Sequence, residues 1–284
     1  MRKKLAGAAL GLVLSAGAGT AYMLWESQWL ERRERDLTVP GLPPALEGLT
    51  VLHLSDVHAG QPGLNLRSLR KAVEWAEERK PDLVFLTGDI LGGRRGSRKG
   101  LDLLSRLQPR LGSFSVKGNH EYGLSKNPLA HRPVEFAWRE AGIIQLEDQC
   151  VLVSHPDADG DATGLALCGA DYLTGGHGLK PPDEEGFFPM LLIHRPPGAD
   201  NSLQEHFRLA FAGHTHGGQI RLPSPWGLWA PHREGLPYLE GIQPWGSGLV
   251  VVSRGIGTTF LPLRLLTRPQ ATIYRLRSAG WSVV

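Results

Sequence analysis

Five short apolar runs in this 284-residue chain stop abruptly at glycine, aspartate, asparagine or histidine. Thr50 to Ser55 (TVLHLS) is followed by Asp56 and His58, and Asp82 to Thr87 (DLVFLT) by Gly88 and Asp89. Ser113 to Val116 leads to Gly118, Asn119, His120 and Glu121; Met190 to Ile193 runs into His194; Leu209 to Phe211 runs into AGHTHGGQI. Short apolar runs bounded by turn formers read as buried strands. Ligand sites in open α/β sheets form at the carboxyl ends of strands, so these five groups are expected around one site.

Taken singly, each group has an ordinary structural explanation. Asp56-Val57-His58 can be a turn, Gly88-Asp89 a helix cap, Asn119-His120 a turn with a satisfied histidine, and His194 a lone histidine before a proline loop. The same strand-to-polar layout five times in one domain is not explained that way. His214 and His216, one residue apart in an extended segment, are expected to project to the same side of the backbone and to suit two neighbouring metal ions. His53, His131, His155, His177, His206 and His232 lack this placement and are read as structural or solvent-exposed.

The first half alternates strand and helix, with helical spacing from Leu66 to Arg79 and around Leu101 to Leu107. Later strands cluster without helices between them: Ile143 to Leu146, Cys150 to Val153, Leu165 to Cys168, Leu249 to Ser253 and Ala271 to Leu276. This pattern predicts two packed sheets with helices outside. Apolar residues make up 41% and charged residues 21%, an ordinary globular balance. The 31 basic and 28 acidic residues leave a net charge of +3, so no broad nucleic-acid-binding face, and no specific nucleic-acid partner, is indicated. Cys150 and Cys168 are too few for a thiolate metal site and are either a bridge or two buried thiols.

Ahead of the strands, Arg2, Lys3 and Lys4 precede an uncharged run from Leu5 to Trp25. A run of this length predicts a transmembrane helix, a single-pass N-terminal anchor in the cell membrane. The alternative is a signal helix cleaved near Ala16-Gly17-Ala18, with export of the remainder. Residues 1–25 are thus expected to be the membrane segment and residues 26–48 a stalk and linker, with charges alternating along a helical stretch to Asp36 and prolines at 40, 43 and 44. Residues 49–284 form the remaining domain.

The ordered series Asp-x-His, Gly-Asp, Gly-Asn-His-Glu, His and Gly-His-Thr-His, in the contexts LSDVH, PDLVFLTGD, GNHEY, LLIHRPP and AGHTHGGQIRLP, resembles the calcineurin-like metallophosphoesterase superfamily. The likeness extends from Leu49 to about Leu276. It is close to bacterial membrane-associated phosphodiesterases, including a group that hydrolyses UDP-2,3-diacylglucosamine in lipid A synthesis; the ending VVSRGIGTTFLPLRLLTRPQATIYRL also resembles that group. The resemblance implies an α/β fold, a four-layer αββα sandwich of two mixed β-sheets flanked by helices. It implies that Asp56, His58 and His216 hold a first divalent metal, that Asn119, His194 and His214 hold a second, and that Asp89 bridges both. His120 would bind the phosphoryl oxygen and protonate the leaving group. Substrates would be phosphodiesters or pyrophosphates, lipid-linked ones included, with UDP-2,3-diacylglucosamine the specific alternative.

The donor types agree with this reading. Carboxylate, amide and imidazole suit Mn, Fe or Zn, and two such ions about 3.5–4 Å apart activate a water for in-line attack at phosphorus. In GDILGGRRGSRKG, Gly88 to Gly93 is followed by Arg94-Arg95 and not by the Lys and hydroxyl residue of a nucleotide-binding P-loop, and neither Gly-x-Ser-x-Gly nor His-Glu-x-x-His occurs. A binding protein that keeps the metal scaffold without turnover is the alternative from a different class. Trp226, Trp229, Tyr238 and Trp245, with Leu261 to Leu266 around Arg264, are read as a satellite core in preference to a lipid-accepting wall.

Overall fold

The computed structural model describes residues 2–61, 63–92, 94–124, 138–155, 163–198, 201–225, 227–231 and 238–279. In chain order the strands begin with β1 (Glu31–Val39), β2 (Thr50–Leu54), β3 (Leu83–Thr87), β4 (Ser113–Val116), β5 (Ile143–Gln145), β6 (Gln149–Ser154) and β7 (Gly164–Gly169). They continue with β8 (Phe187–Leu192), β9 (Leu209–Ala212), β10 (Leu222–Ser224), β11 (Gly227–Trp229), β12 (Gly241–Trp245), β13 (Gly248–Val252) and β14 (Gln270–Ser278). The α-helices are α1 (Arg2–Glu26), α2 (Asn65–Arg79) and α3 (Arg94–Leu104).

Two six-stranded sheets carry the fold, in the orders β1-β14-β2-β3-β4-β5 and β12-β13-β9-β8-β7-β6. Both are mixed. β2, β3, β4 and β5 run parallel while β14 is antiparallel to β2. In the second sheet β7, β8, β9 and β13 run parallel between antiparallel edge strands. The period-two alternation of side chains sorts the apolar residues into three layers. Val51, Phe85 and Phe114 meet Leu167, Met190 and Phe211 between the sheets. Leu52, Leu54 and Leu86 turn the other way, onto Leu69 and Val73 of α2 and Leu104 of α3.

The outer face of the second sheet differs from the expected fourth layer. Leu191, Ala210 and Val252 are covered by Leu179, Leu203, Phe207 and Trp245, which lie in loops, a 3-10 turn (Ser202–Glu205) and the edge strand β12. Among the described residues no α-helix lies there, so the observed layering is helix, sheet, sheet and coil. Trp245 and Tyr238 do join this satellite cluster, whereas Trp229 is exposed and Trp226 lies outside the described residues. In the Leu261 to Leu266 segment the apolar Leu261 and Leu266 are exposed and Arg264 is fully buried, its guanidinium donating to the carbonyls of Gly255, Gly257, Arg254, Thr267 and His216.

Two expectations about the N-terminal region need correction. The charged stretch read as a helical stalk is strand β1, paired parallel with β14 from Glu31↔Gln270 to Val39↔Ser278. Its alternation of charge is the period of an edge strand, with Leu37 and Val39 buried at its inner end. Arg2–Glu26 is helical, but among the described residues no helix is long and apolar enough to cross a membrane. Its glycines and alanines contribute little apolar surface per residue. The end of α1 is fastened to the domain: Glu26 accepts from the N–H groups of Leu266 and Thr267, and Met23 from that of Arg264.

Helix α2 ends where Lys80 adopts a left-handed conformation (φ 49°) before Pro81. Helix α3 begins at Arg94, within the stretch GDILGGRRGSRKG. Cys150 and Cys168 stand opposite each other on β6 and β7 and form a disulfide.

His53 proves to be interior. Its Nε2 is 2.9 Å from Thr87 Oγ1 and its ring meets Phe211 edge-on at 5.1 Å. Burial pushes its pKa down from 6.5 to about 3. Between those values the unfolded chain holds a proton at this ring that the folded chain refuses, so stability is present above pH 6.5 and is lost as pH falls towards 3. His53→Gln is expected to flatten the pH dependence of unfolding free energy by up to about 1.4 kcal/mol per pH unit in that window. Urea titrations across the window measure it; an unchanged slope would mean the folded ring accepts the proton.

Candidate metal centre

The carboxyl ends of β2, β3 and β4 lie side by side in one sheet, and those of β8 and β9 side by side in the other. Each end delivers one of the polar groups picked out in the sequence. Asp56 and His58 follow β2, Asp89 follows β3, Asn119 and His120 follow β4, His194 follows β8, and His214 and His216 follow β9. All are buried except His214, which is partly so.

Their ligand atoms group into three sets: Asp56, His58 and His216; His58, Asp89 and His120; Asp89, His194 and His214. Within each set the atoms lie within 4.8 Å of one another. Asp89 belongs to two of them. Its Oδ2 is 3.8 Å from His58 Nε2, 3.8 Å from His120 Nε2 and 3.4 Å from His194 Nε2. His216 Nε2 is 3.5 Å from Asp56 Oδ1 and 3.0 Å from His58 Nε2, and His214 Nδ1 is 3.1 Å from His194 Nε2.

His214 and His216 thus serve different sets, but not from an extended segment. β9 stops at Ala212, and both residues sit in a turn with φ of 70° and 50°. Asp56, His58 and Asp89 are also left-handed, at 50°, 49° and 53°. Such conformations cost roughly 1–3 kcal/mol each in non-glycine residues and persist where the surroundings over-determine them. One source of constraint is crowding: a Cβ on Gly213 would stand 1.8 Å from Ser55 Oγ and 2.5 Å from Asp56 Oδ2. Only glycine permits that approach.

The residues fit a pair of cations. Asn119 Oδ1 and His216 Nδ1 are buried with no hydrogen-bond partner, an unfavourable state for an amide oxygen unless a cation takes it. Thr87 O, which can only accept, lies 2.7 Å from His194 Nδ1; that nitrogen therefore carries the proton, and Nε2 faces Asp89. Burial, with the nearby His120, pushes His58 down to about 3, and burial with His58 holds His216 well below its ordinary value, so both imidazoles keep a free lone pair at neutral pH. Burial opposes the charge on Asp89, but His194 and its neighbours overcome it and hold the carboxyl well below the usual range. His194 is in turn pushed up to about 10, against its burial, by Asp89. Cation binding must therefore displace a proton from this pair.

Three further residues line the site; the strand-end pattern passed over Gln61 and Tyr172 and gave Glu121 no role. Gln61 Nε2 is 3.2 Å from His58 Nδ1 and 2.7 Å from His120 Nδ1. Tyr172, just beyond β7, lies with its ring 5.8 Å from His194 and 6.2 Å from His214. Glu121 turns inward to accept from main-chain N–H groups of both the β3 and β4 loops. Asp-Tyr after β7 is a sixth strand end of the same kind. His155, His177 and His206 join none of the three sets, and His131 and His232 lie outside the described residues.

Residues 49–218, more than half of the chain, match the family model for calcineurin-like phosphoesterase. The chain belongs to that family. It is similar to the uncharacterized metallophosphoesterase YkuE of Bacillus subtilis, at 29% identity over 98% of this chain and 96% of that one. It is also similar to phosphodiesterase YaeI of Escherichia coli, at 30% identity over 80% of this chain and 81% of that one. Among solved structures, TT1561 of Thermus thermophilus is 13% identical and overlaps 73% of this chain and 90% of its own with a TM-score of 0.40. As a calcineurin-like phosphoesterase the chain is a metal-dependent phosphoester hydrolase.

Proposed function

We propose that this hydrolase cleaves a phosphodiester or pyrophosphate bond at a dinuclear centre, and that its substrate lies near a membrane. The observation that carries the reading is the position of Asp89 Oδ2 between His58 and His194, which makes one carboxylate common to two ligand sets. Asp56, His58 and His216 would hold one ion, Asn119, His194 and His214 the other, and Asp89 both. When bound, two divalent ions lower the pKa of a water and offset charge on the phosphoryl oxygens. The metals suited to these donors are Mn, Fe and Zn.

The chain's own groups supply the rest. His120 is held on both sides, its main-chain N–H donating to Asp89 Oδ1 at 2.8 Å and its Nδ1 lying against the Gln61 amide. Nε2 is left facing the carboxylate and the shared ligand space, where it would give its proton to the departing oxygen. The name of the relative YaeI supports a diester over a monoester.

Membrane proximity rests on α1. From Val13 to Trp25 every residue but Met23 is exposed, and Tyr22, Trp25 and Trp29 cluster at and just beyond its end, in tilted contact with ring centroids 5.7 and 4.5 Å apart. Clustered tyrosine and tryptophan suit the membrane–water interface. The exposed Phe260 and Leu261 follow on the loop held by Gln219, which favours a lipid-linked substrate such as a UDP-diacylglucosamine as the second reading.

Purified protein with Mn(II) is expected to hydrolyse bis(p-nitrophenyl) phosphate faster than p-nitrophenyl phosphate and to lose activity with a chelator. Full metal occupancy without turnover of either ester would favour the binding-protein reading. A reporter fused at Val284 fixes the membrane side, and failure of the full chain to float with phospholipid vesicles would sink the membrane reading.

A further inference from the structure

Glu121 follows His120 directly, and no step above uses its side chain. The carboxylate accepts four main-chain hydrogen bonds. Oε1 takes the N–H groups of Ile90 at 2.8 Å and Leu91 at 3.0 Å; Oε2 takes those of Asp89 and Gly118, both at 2.9 Å. Three of the donors are successive residues of the loop after β3, and the fourth belongs to the loop after β4. Successive N–H groups converging on one point form a nest with partial positive charge, and here the anion that fills it is built into the chain.

The geometry of Asp89 depends on that nest. Its left-handed φ of 53° turns the main chain so that its own N–H points at Glu121 while its side chain points away, into the ligand sets. Gly118, tied to the same carboxylate, passes so close that a Cβ there would lie 2.2 Å from Asp89 Oδ1. Oδ1 is thereby taken up by the His120 N–H, and Oδ2 alone faces His58, His120 and His194.

We propose that Glu121 is a positioning residue for both metal sites: by clamping the β3 and β4 loops together it sets the turn from which Asp89 Oδ2 is presented to the two ions. This rests on the bridging role given to Asp89. A carboxylate is required because four donors need acceptors. The NH2 end of a glutamine would face two N–H groups, leaving them unsatisfied or swinging the loop outward.

The test is calorimetric titration of Mn(II) into metal-stripped full-length protein, comparing the parent with Glu121→Gln, Glu121→Asp and Asp89→Asn. Glu121→Gln is expected to weaken both Mn(II) equivalents by about 10–100-fold, the usual effect of losing an outer-shell partner. Glu121→Asp, which keeps the acceptors on a shorter arm, should fall between it and the parent. A purely structural residue would lower the melting temperature of the metal-free protein and leave both Mn(II) affinities at parent values; that result overturns the proposal. If only one equivalent weakens in Glu121→Gln while Asp89→Asn weakens both, Glu121 does not act through Asp89 and the proposal fails while the bridge stands. If Asp89→Asn itself weakens only one, the bridging role is what fails. Should Glu121→Gln not fold, amide exchange in metal-free Glu121→Asp decides: faster exchange at Asp89, Ile90, Leu91 and Gly118, with β2 and β9 unchanged, is expected, and uniform exchange across the domain overturns the proposal.

Discussion

Asp89→Asn should lose more metal and more activity than any other single ligand substitution in this protein. In the proposed allocation each of the other six ligands serves one ion, whereas Asp89 Oδ2 lies within 3.8 Å of His58 Nε2 and 3.4 Å of His194 Nε2 and would serve both. The substitution keeps size and shape but removes the carboxylate charge that both ions would share. Removing one charged partner of a buried ionic contact costs about 3–5 kcal/mol, on the order of 10²–10⁴-fold in affinity for cations at this position. Elemental analysis of the purified variant should find fewer than two ions per chain, with turnover depressed in proportion. Two retained ions and a near-parental rate would remove Asp89 from the bridge.

His120→Ala should behave in the opposite way, keeping both metals and losing turnover. Loss of a general acid typically costs 10²–10⁴-fold, and the loss should depend on the leaving group. An alkyl or sugar alkoxide must be protonated as its bond to phosphorus breaks, whereas an aryl oxide departs unaided, so aryl diesters should be far less affected. The structure makes this a sharp test, because His120 Nε2 stands as close to Asp89 Oδ2 as His58 Nε2 does, 3.8 Å in each case. If metal content falls with activity, His120 is a ligand. If metals stay and both ester types slow equally, His120 stabilises the phosphoryl oxygens without donating a proton.

That the residues of the centre cluster was legible in the sequence, because they directly follow apolar strands and adjacent parallel strands bring their ends together. Gln61, Tyr172 and the role of Glu121 were not. Gln61 acts from a loop, three residues past a ligand, where glutamine carries no signal of its own. Glu121 works through main-chain donors that leave no mark on side-chain identity. The His-Thr-His pair was assigned to two sites on the premise of an extended chain, yet the turn at His214 and His216 reaches the same division by left-handed backbone. Among the described residues no helix covers the outer face of the second sheet; Leu203, Phe207 and Trp245, from a 3-10 turn, a loop and an edge strand, cover it instead, and such coverage leaves no helical period to read. β1 was misread for a different reason: alternating charge fits a solvated helix and an edge strand alike, and the partner that decides between them is β14, at the other end of the chain.

That pairing also sets the order in which the protein can be completed. β14 lies between β1 and β2, so β1 has no partner and β2 only β3 until β14 has been synthesised. Contacts so distant along the chain are slow to form, and strands left waiting for them expose unpaired main-chain groups. On the ribosome, β2, β3 and β4 can assemble with α2 and α3 while β1 remains unmatched beside α1. Addition of β14 is then the event that closes the first sheet, and a chain cut short before Gln270 would leave β1 and β2 as open edges, available to aggregate or to be degraded.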